Sequence, residues 1–319
     1  MIRTSLLSAT TLASLLFALA PAHALSSRAW VSGKGTDAAG CGSPASPCRS
    51  FQYVHDHIIA AGGEIDVLDP AGYGVVTISK ALSIVNDGVG TAGVQQAATA
   101  ANAIAINAGA SDVVTLRGLN IDGLGTGANG IVFNSGGGLT VVNCVVRHFA
   151  DNGVLIQPTS GSMSFLISNV VASDNADSGV YFRPPSGSPI VTGAIDHVTS
   201  VYNSAYGIAI NATSAGGGAV KIAVSDSIAS NDDYGIWVGN GSVALTVSID
   251  NSNINTNQTG LLVEGPATVL LGRSVITSNS NEGVYNVTSP NTLYTYGDNR
   301  INGNGFDIPA PLNTILTPQ

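Results

Sequence analysis

Charge is what this chain has least of. Asp, Glu, Lys and Arg make up 10% of its 319 residues, against about 25% in an average globular protein. Lysine occurs only as Lys34, Lys80 and Lys221, and the formal net charge is -9. A phosphate-backbone partner needs clustered basic residues, so nucleic acid is excluded as a partner. Aromatics are sparse at 6% and cysteines number 3. Hydrophobic residues nevertheless reach 44%, which argues against disorder, because disorder pairs low hydrophobicity with high net charge. The surface must be covered by Asn, Ser, Thr and Gly. Gly and Asn suit turns and weaken helices, so a sheet-and-turn architecture is expected.

The first 24 residues read as a secretory signal peptide. Arg3 supplies the positive start, Leu6 to Ala20 is an apolar run, and Ala22-His23-Ala24 is a small-x-small site with cleavage after Ala24. The run is too short to anchor in a membrane, and no later segment reaches the roughly 18 to 20 apolar residues needed to span one. The mature chain, without a membrane span, is expected to be monomeric and secreted or periplasmic. Cys41 and Cys48 enclose the eight-residue stretch CGSPASPC, and an oxidising compartment makes them disulfide partners. Cys144 is left over and reads as a small buried residue.

The body repeats. A Gly followed by alternating apolar residues starts at Gly130, Gly153, Gly179, Gly207, Gly235, Gly260 and Gly283. Weaker copies begin at Gly74 and Ala103. A second alternating strand precedes each copy, as in Val220-Lys-Ile-Ala-Val. Four residues before the Gly stands Asn175, Asn203, Asn231 or Asn279, and stacked Asn can bond amide to amide. The spacing is too short for a propeller blade and lacks the helices of ankyrin or tetratricopeptide units.

Over about residues 30 to 308, this pattern resembles the pectin-lyase-like, right-handed parallel β-helix superfamily. The expected fold is an all-β single-stranded solenoid of about nine coils. The expected divisions are an entry strand, disulfide loop and capping helix over 25–63, the β-helix over 64–308, and a tail over 309–319. Ser50 should N-cap the helix, Phe51, Val54 and Ile58 should line one face, and Gly62-Gly63 should end it near Ala61.

Strand alternation assigns faces. The first and third residues after each repeat Gly are apolar and point inward. The second points outward and includes Tyr181, Trp237 and Tyr285, expected roughly 10 Å apart on alternate coils. Tyr206 and Tyr234 precede the Gly on the same side. Flat rings beside amides suit a sugar polymer, so these five are candidate substrate-binding residues for an extracellular polysaccharide. Packing between strands also favours aromatics at such positions.

Catalytic patterns of the superfamily are incomplete here. The separated Asp clusters, Gly-His-Gly and Arg-x-Lys of pectin hydrolases are missing. Asp196-His197 and Arg183-Pro184-Pro185 are similar to pectate lyase fragments but stand in the opposite order, and Leu271-Gly272-Arg273 is only a fragment of a pectin esterase pattern. Candidate catalytic residues are Asp177, Asp233, Arg183, Glu264 and Glu282. Asp151 and Asp177, on adjacent coils, are candidate ligands for Ca²⁺, although Asp also caps tight turns through its own side chain. No other cofactor is implied. His55 and His57 read as surface or cap residues, and His148 and His197 as turn residues. Three functions stand open: a polysaccharide binder, a polysaccharide lyase, hydrolase or epimerase, and a structural or adhesive spacer.

Overall fold

The computed structural model describes residues 25–159, 161–287, 293–308 and 313–315. The segment expected to be a signal peptide lies outside them, as does most of the 309–319 tail. The described chain is an all-β parallel solenoid of right-handed turns with one short helix. Three parallel sheets run its length, with twelve, nine and ten strands. Nine strands in the second sheet enclose about eight turns. Each coil contributes in turn to the twelve-stranded, ten-stranded and nine-stranded sheet, as in Gly138–Val142, Val145–Arg147 and Val154–Ile156.

The repeat follows from close approach along the axis. A Cβ placed on Gly130, Gly153, Gly179, Gly207, Gly235 or Gly260 would lie 2.5 to 2.9 Å from the carbonyl oxygen of the next repeat glycine. None of these six has a positive φ. Glycine is there for contact between coils, not for a left-handed turn. The first and third residues after it, such as Ile208 and Ile210, are buried in one continuous apolar core.

Two corners of each coil do use left-handed backbone. One column comprises Asn143, Asn169, His197, Asp226, Asn251 and Arg273, with φ between 46 and 55°. The other comprises His148, Asp174, Tyr202, Asn231, Thr256 and Ser278, with φ between 56 and 61°. His148 and His197 are therefore turn residues, as expected. Immediately after the first column comes a buried hydroxyl ladder. The Val198 N–H donates to Ser227 Oγ at 3.1 Å, Ser227 N–H to Ser252 Oγ, and Ser252 N–H to Ser274 Oγ. Cys144 occupies the equivalent place after Asn143 and is buried.

The Asn column lies just after the second corner, and its membership corrects the expectation. Counting back from the Gly placed Asn231 in it. Asn231 is the left-handed corner residue instead, and Asp232 fills the column. The turn between column and Gly varies by one residue, so only the corner fixes the count.

The helix spans Phe51–His57 and is N-capped by Ser50, whose Oγ accepts from Tyr53 N–H. It ends four residues before Ala61 because Ile59–Val67 leaves it to pair with Ser26–Val31. Gly62-Gly63 lies within that strand, where a Gly63 Cβ would meet Ile59 Cγ1 at 2.6 Å. The expected division between 63 and 64 thus falls inside a strand. His55 is buried, not superficial: its Nε2 accepts from Ser79 N–H at 3.1 Å.

Ser26–Val31 is the outer strand of its sheet, and an open edge invites pairing with another chain. The loop closed by the Cys41–Cys48 disulfide covers it. Trp30 N–H donates to Gly42 O at 3.0 Å, and Cys48 N–H to Trp30 O at 3.0 Å. At the far end Asn313–Ile315 is the last strand of the twelve-stranded sheet.

Two outcomes follow. Replacing Cys41 and Cys48 by Ser should lower stability by about 2–3 kcal/mol on the loop-entropy estimate, read by urea unfolding, and increase self-association by light scattering. Burial pushes the Cys144 thiol up to about 11, so at pH 8 a thiol reagent should label the native protein negligibly and the urea-unfolded protein stoichiometrically.

Candidate functional site

Outside the nine-stranded sheet runs the column Val132, Leu155, Tyr181, Ala209, Trp237, Leu262 and Tyr285, each paired in register with the next. It points away from the core, yet Val132, Leu155, Tyr181, Ala209 and Leu262 are buried. Neighbouring outward side chains cover one another and form a second, smaller apolar cluster.

The aromatics do not stand apart at 10 Å. Ala209 separates Tyr181 from Trp237 in the column, and its small side chain lets the rings close over it. The Tyr181 and Trp237 centroids are 6.4 Å apart. Tyr206, from the adjacent column, stacks on Trp237 at 4.6 Å and 20°, and on Tyr234 at 5.4 Å and 25°. Tyr181, Tyr206, Tyr234 and Trp237 thus make one slab. Tyr181 is 5% exposed and forms its floor, while the other three are half-buried. Tyr285 is excluded: Leu262 lies between it and Trp237, and it stands 40% exposed by itself.

Polar groups fix the slab. Trp237 Nε1–H donates to Glu264 at 2.9 Å, and Asn211 Nδ2 donates to the Tyr181 hydroxyl at 3.1 Å. The Arg183 guanidinium lies 5.7 Å from the Tyr181 ring centroid. Burial, with help from the Tyr181, Asp177, Tyr234 and Glu264 neighbours, pushes the Tyr206 hydroxyl up to about 12. Asp177 is half-buried at the slab's edge. Burial holds its carboxyl above the usual range, its Ser178 hydrogen bond and the Arg183 charge oppose that shift, and Asp151 reinforces it. Asp233 adjoins Tyr234 in the chain, and Glu282 accepts from Thr259 Oγ1 at 2.8 Å, where Thr259 pairs with Tyr234. The structure therefore brings Asp177, Arg183 and Glu264 to the slab, while Asp151, Asp233 and Glu282 reach it through the neighbours Asp177, Tyr234 and Thr259. The Trp237–Glu264 bond and the roof over Ala209 escaped sequence reasoning. The signal was available in a small residue flanked by two large ones in one column.

Groups of three or more His, Cys, Asp or Glu within ligating distance occur elsewhere among the described residues. Asp37, Cys41 and Cys48 form one, but both cysteines are in the disulfide. Asp196, His197 and Asp226 form another at a coil corner, where Asp196 already accepts from Ser225 Oγ and pairs with His197. Asp151 and Asp177 belong to neither.

Beneath the slab lies the Asn column. Asn203 Oδ1 accepts from Asn175 N–H and Nδ2, Asp232 Oδ1 from Asn203 N–H and Nδ2, and the pattern continues through Asn257, Asn279 and Asn304. Asp232 breaks it. Its Oδ2 occupies the slot filled elsewhere by a donating amide, and it has no partner. Desolvation raises this carboxyl to about 7, opposed by its hydrogen bonds from Asn203. Two sequons fall in buried structure, at Asn240 and Asn257.

The folded state thus holds a proton on Asp232 that the unfolded chain releases near pH 4. Stability from this residue is complete at pH 4 and below and declines as pH rises from about 4 to 7. The loss is on the order of a few kcal/mol. Asp232→Asn restores the missing donor and cannot ionise. Urea unfolding should show the variant more stable than the parent at pH 8, with the difference shrinking toward pH 4. An equal difference at both pH values would contradict this assignment.

Comparison with known proteins agrees with this architecture. A family model described as "Right handed beta helix region" matches residues 84–248 and 129–306. No curated protein sequence matches the chain. The crystal structure of pectate lyase Pel9A is similar, with a TM-score of 0.67 at 14% identity over 93% of this chain and 82% of that one.

Proposed function

The chain belongs to the right-handed β-helix family, and from that premise we propose that it binds an extracellular polysaccharide on the slab of Tyr206, Tyr234 and Trp237, floored by Tyr181. The observation that carries this reading is the slab itself. Three partly exposed rings lie stacked at 4.6 and 5.4 Å beside carboxylates and amides. A sugar polymer offers an apolar C–H face and a rim of hydroxyls, and such a surface complements both. The fold neighbour is named as a pectate lyase, which supports a polysaccharide as the ligand class. The signal-peptide pattern of the first 24 residues and the disulfide between Cys41 and Cys48 support a secreted or periplasmic location.

Trp237→Ala should weaken retention on the bound polysaccharide at least tenfold, since truncating a central aromatic anchor costs about 1–2 kcal/mol or more. Tyr285→Ala should leave it within twofold, because Tyr285 stands off the slab. Affinity electrophoresis across a glycan panel reads both, with thermal melts confirming the fold. Equal retention by parent and Trp237→Ala on every glycan would reject the slab as the site.

Asp177 favours a second reading, a lyase, hydrolase or epimerase. A half-buried carboxyl with a raised pKa beside a guanidinium is the setting in which acid–base groups are tuned. Asp177 would transfer the proton and Arg183 would clamp the sugar. In the Ca²⁺-dependent variant of this reading, Arg183 would act as base or sugar clamp, and the ion would instead be held by Asp151 and Asp177. These are only two carboxylates, so main-chain carbonyls, water or the substrate would complete the shell. The enzyme reading requires new reducing ends or an unsaturated product, lost in Asp177→Asn. Retention without product leaves the binding reading in place.

A further inference from the structure

Building on the polysaccharide reading, we infer that the slab selects a glycan carrying free amino groups, a glucosamine-type polymer, over a polyuronate. Asp177 and Glu264 act directly on the rings, Asp151 neighbours Asp177, Asp233 precedes Tyr234 in the chain, and Glu282 holds Thr259, which pairs with Tyr234. Arg183 is the single basic residue among them. Its charge is already committed, lying over the Tyr181 ring and acting on Asp177. Among the other described arginines, Arg28 pairs with Glu64 and Asp66, Arg117 with Asp87, Arg147 with Asp122 and Arg273 with Asp250, while Arg49 donates to Gly72 O and Arg300 lies in the last strand of the ten-stranded sheet. No basic track leads a polyanion to this surface.

A polyuronate would bring one carboxylate per sugar against these like charges. Each close pair costs on the order of 1 kcal/mol even in water, and more where the rings exclude it. An ammonium reverses the sign. It donates hydrogen bonds to carboxylates and is attracted to the faces of Trp and Tyr. The sugar's C–H face meets the slab while its amino group meets the acids. Aromatic and acidic residues are then parts of one site.

Calorimetric titration of the full chain tests this with three probes of equal length: glucosamine oligomers, N-acetylglucosamine oligomers, and galacturonic acid oligomers with and without Ca²⁺. At pH 5.5 the glucosamine oligomer should bind at least tenfold tighter than either other probe, and weaken severalfold from 50 to 500 mM NaCl. The Asp151→Asn, Asp177→Asn double variant should lose about tenfold. A control variant, Asp87→Asn with Asp226→Asn, removes two charges far from the slab and should lose less than twofold. Equal losses in both double variants would reduce the effect to general attraction of a polycation by an acidic protein, and would overturn the inference. So would tighter binding of the galacturonic acid oligomer, with or without Ca²⁺, or equal binding of the amino and N-acetyl forms. These outcomes leave the polysaccharide reading standing. Absence of binding by every glycan removes that reading and this inference together.

Discussion

Each residue in this solenoid sits beneath and above its counterparts in the adjoining coils, about 4.8 Å away. That constraint sorts the whole chain. A position survives only if its side chain tolerates near-copies of itself as neighbours. Apolar residues satisfy this inside by packing, as Ile208 and Ile236 do. Asn satisfies it by accepting from the amide of one coil while donating onward, and Ser by accepting from the main chain. Like charges satisfy it poorly, since they repel their neighbours. The scarcity of charge that marks the sequence is thus a consequence of stacking. So are the repeat glycines, which have carbonyl oxygens where a Cβ would be.

The same constraint explains what was legible in the sequence. Alternation and the recurring Gly were enough for a parallel solenoid, its inward positions and the residues on one outer face, because both depend on local periodicity. The Ser50 cap and the Phe51 and Val54 face were readable for the same reason. Errors arose where a count crossed a turn of variable length. Asn231 and Asp232 exchange roles because the segment from corner to Gly is one residue shorter in that coil than in the coil of Asn203. The helix was extended over Ile59 because pairing with a strand about thirty residues earlier is invisible to local propensity. Distances between outward aromatics were misjudged for a third reason. Coil spacing fixes Cα positions, whereas the rings lean, and Ala209 leaves them room to do so.

A solenoid also dictates what kind of site it can build. Outward columns are continuous along the axis, so a surface can extend over as many coils as the ligand has units. An apolar outward column must meanwhile cover itself, as Val132, Leu155 and Tyr181 do. The slab is a compromise between these demands. Tyr181 is spent on packing, while Tyr206, Tyr234 and Trp237 keep a partly open face. Gly239 contributes to this, since a Cβ there would lie 3.0 Å from Cζ2 of Trp237.

The departures from the stacking rules fall together. In the stretch from Tyr202 to Trp237 an acid replaces the amide in the buried ladder, a Tyr with 60% exposure takes a left-handed corner at Tyr202, and three of the four slab aromatics occur. Asp232 Oδ2 also lies 2.5 Å from where a Cβ on Gly207 would stand, directly behind Tyr206. Chains tend to break local consistency where function requires it. Two other buried side-chain oxygens among the described residues lack a partner, Asn152 Oδ1 and Asn240 Oδ1, but Asp232 Oδ2 is the carboxylate among the three. The coil that carries Tyr234 and Trp237 thus lacks the donated hydrogen bond that Asn257 makes to Ala229 O in the next coil. The surface proposed to meet the polymer is therefore mounted on a coil whose buried ladder lacks a donor.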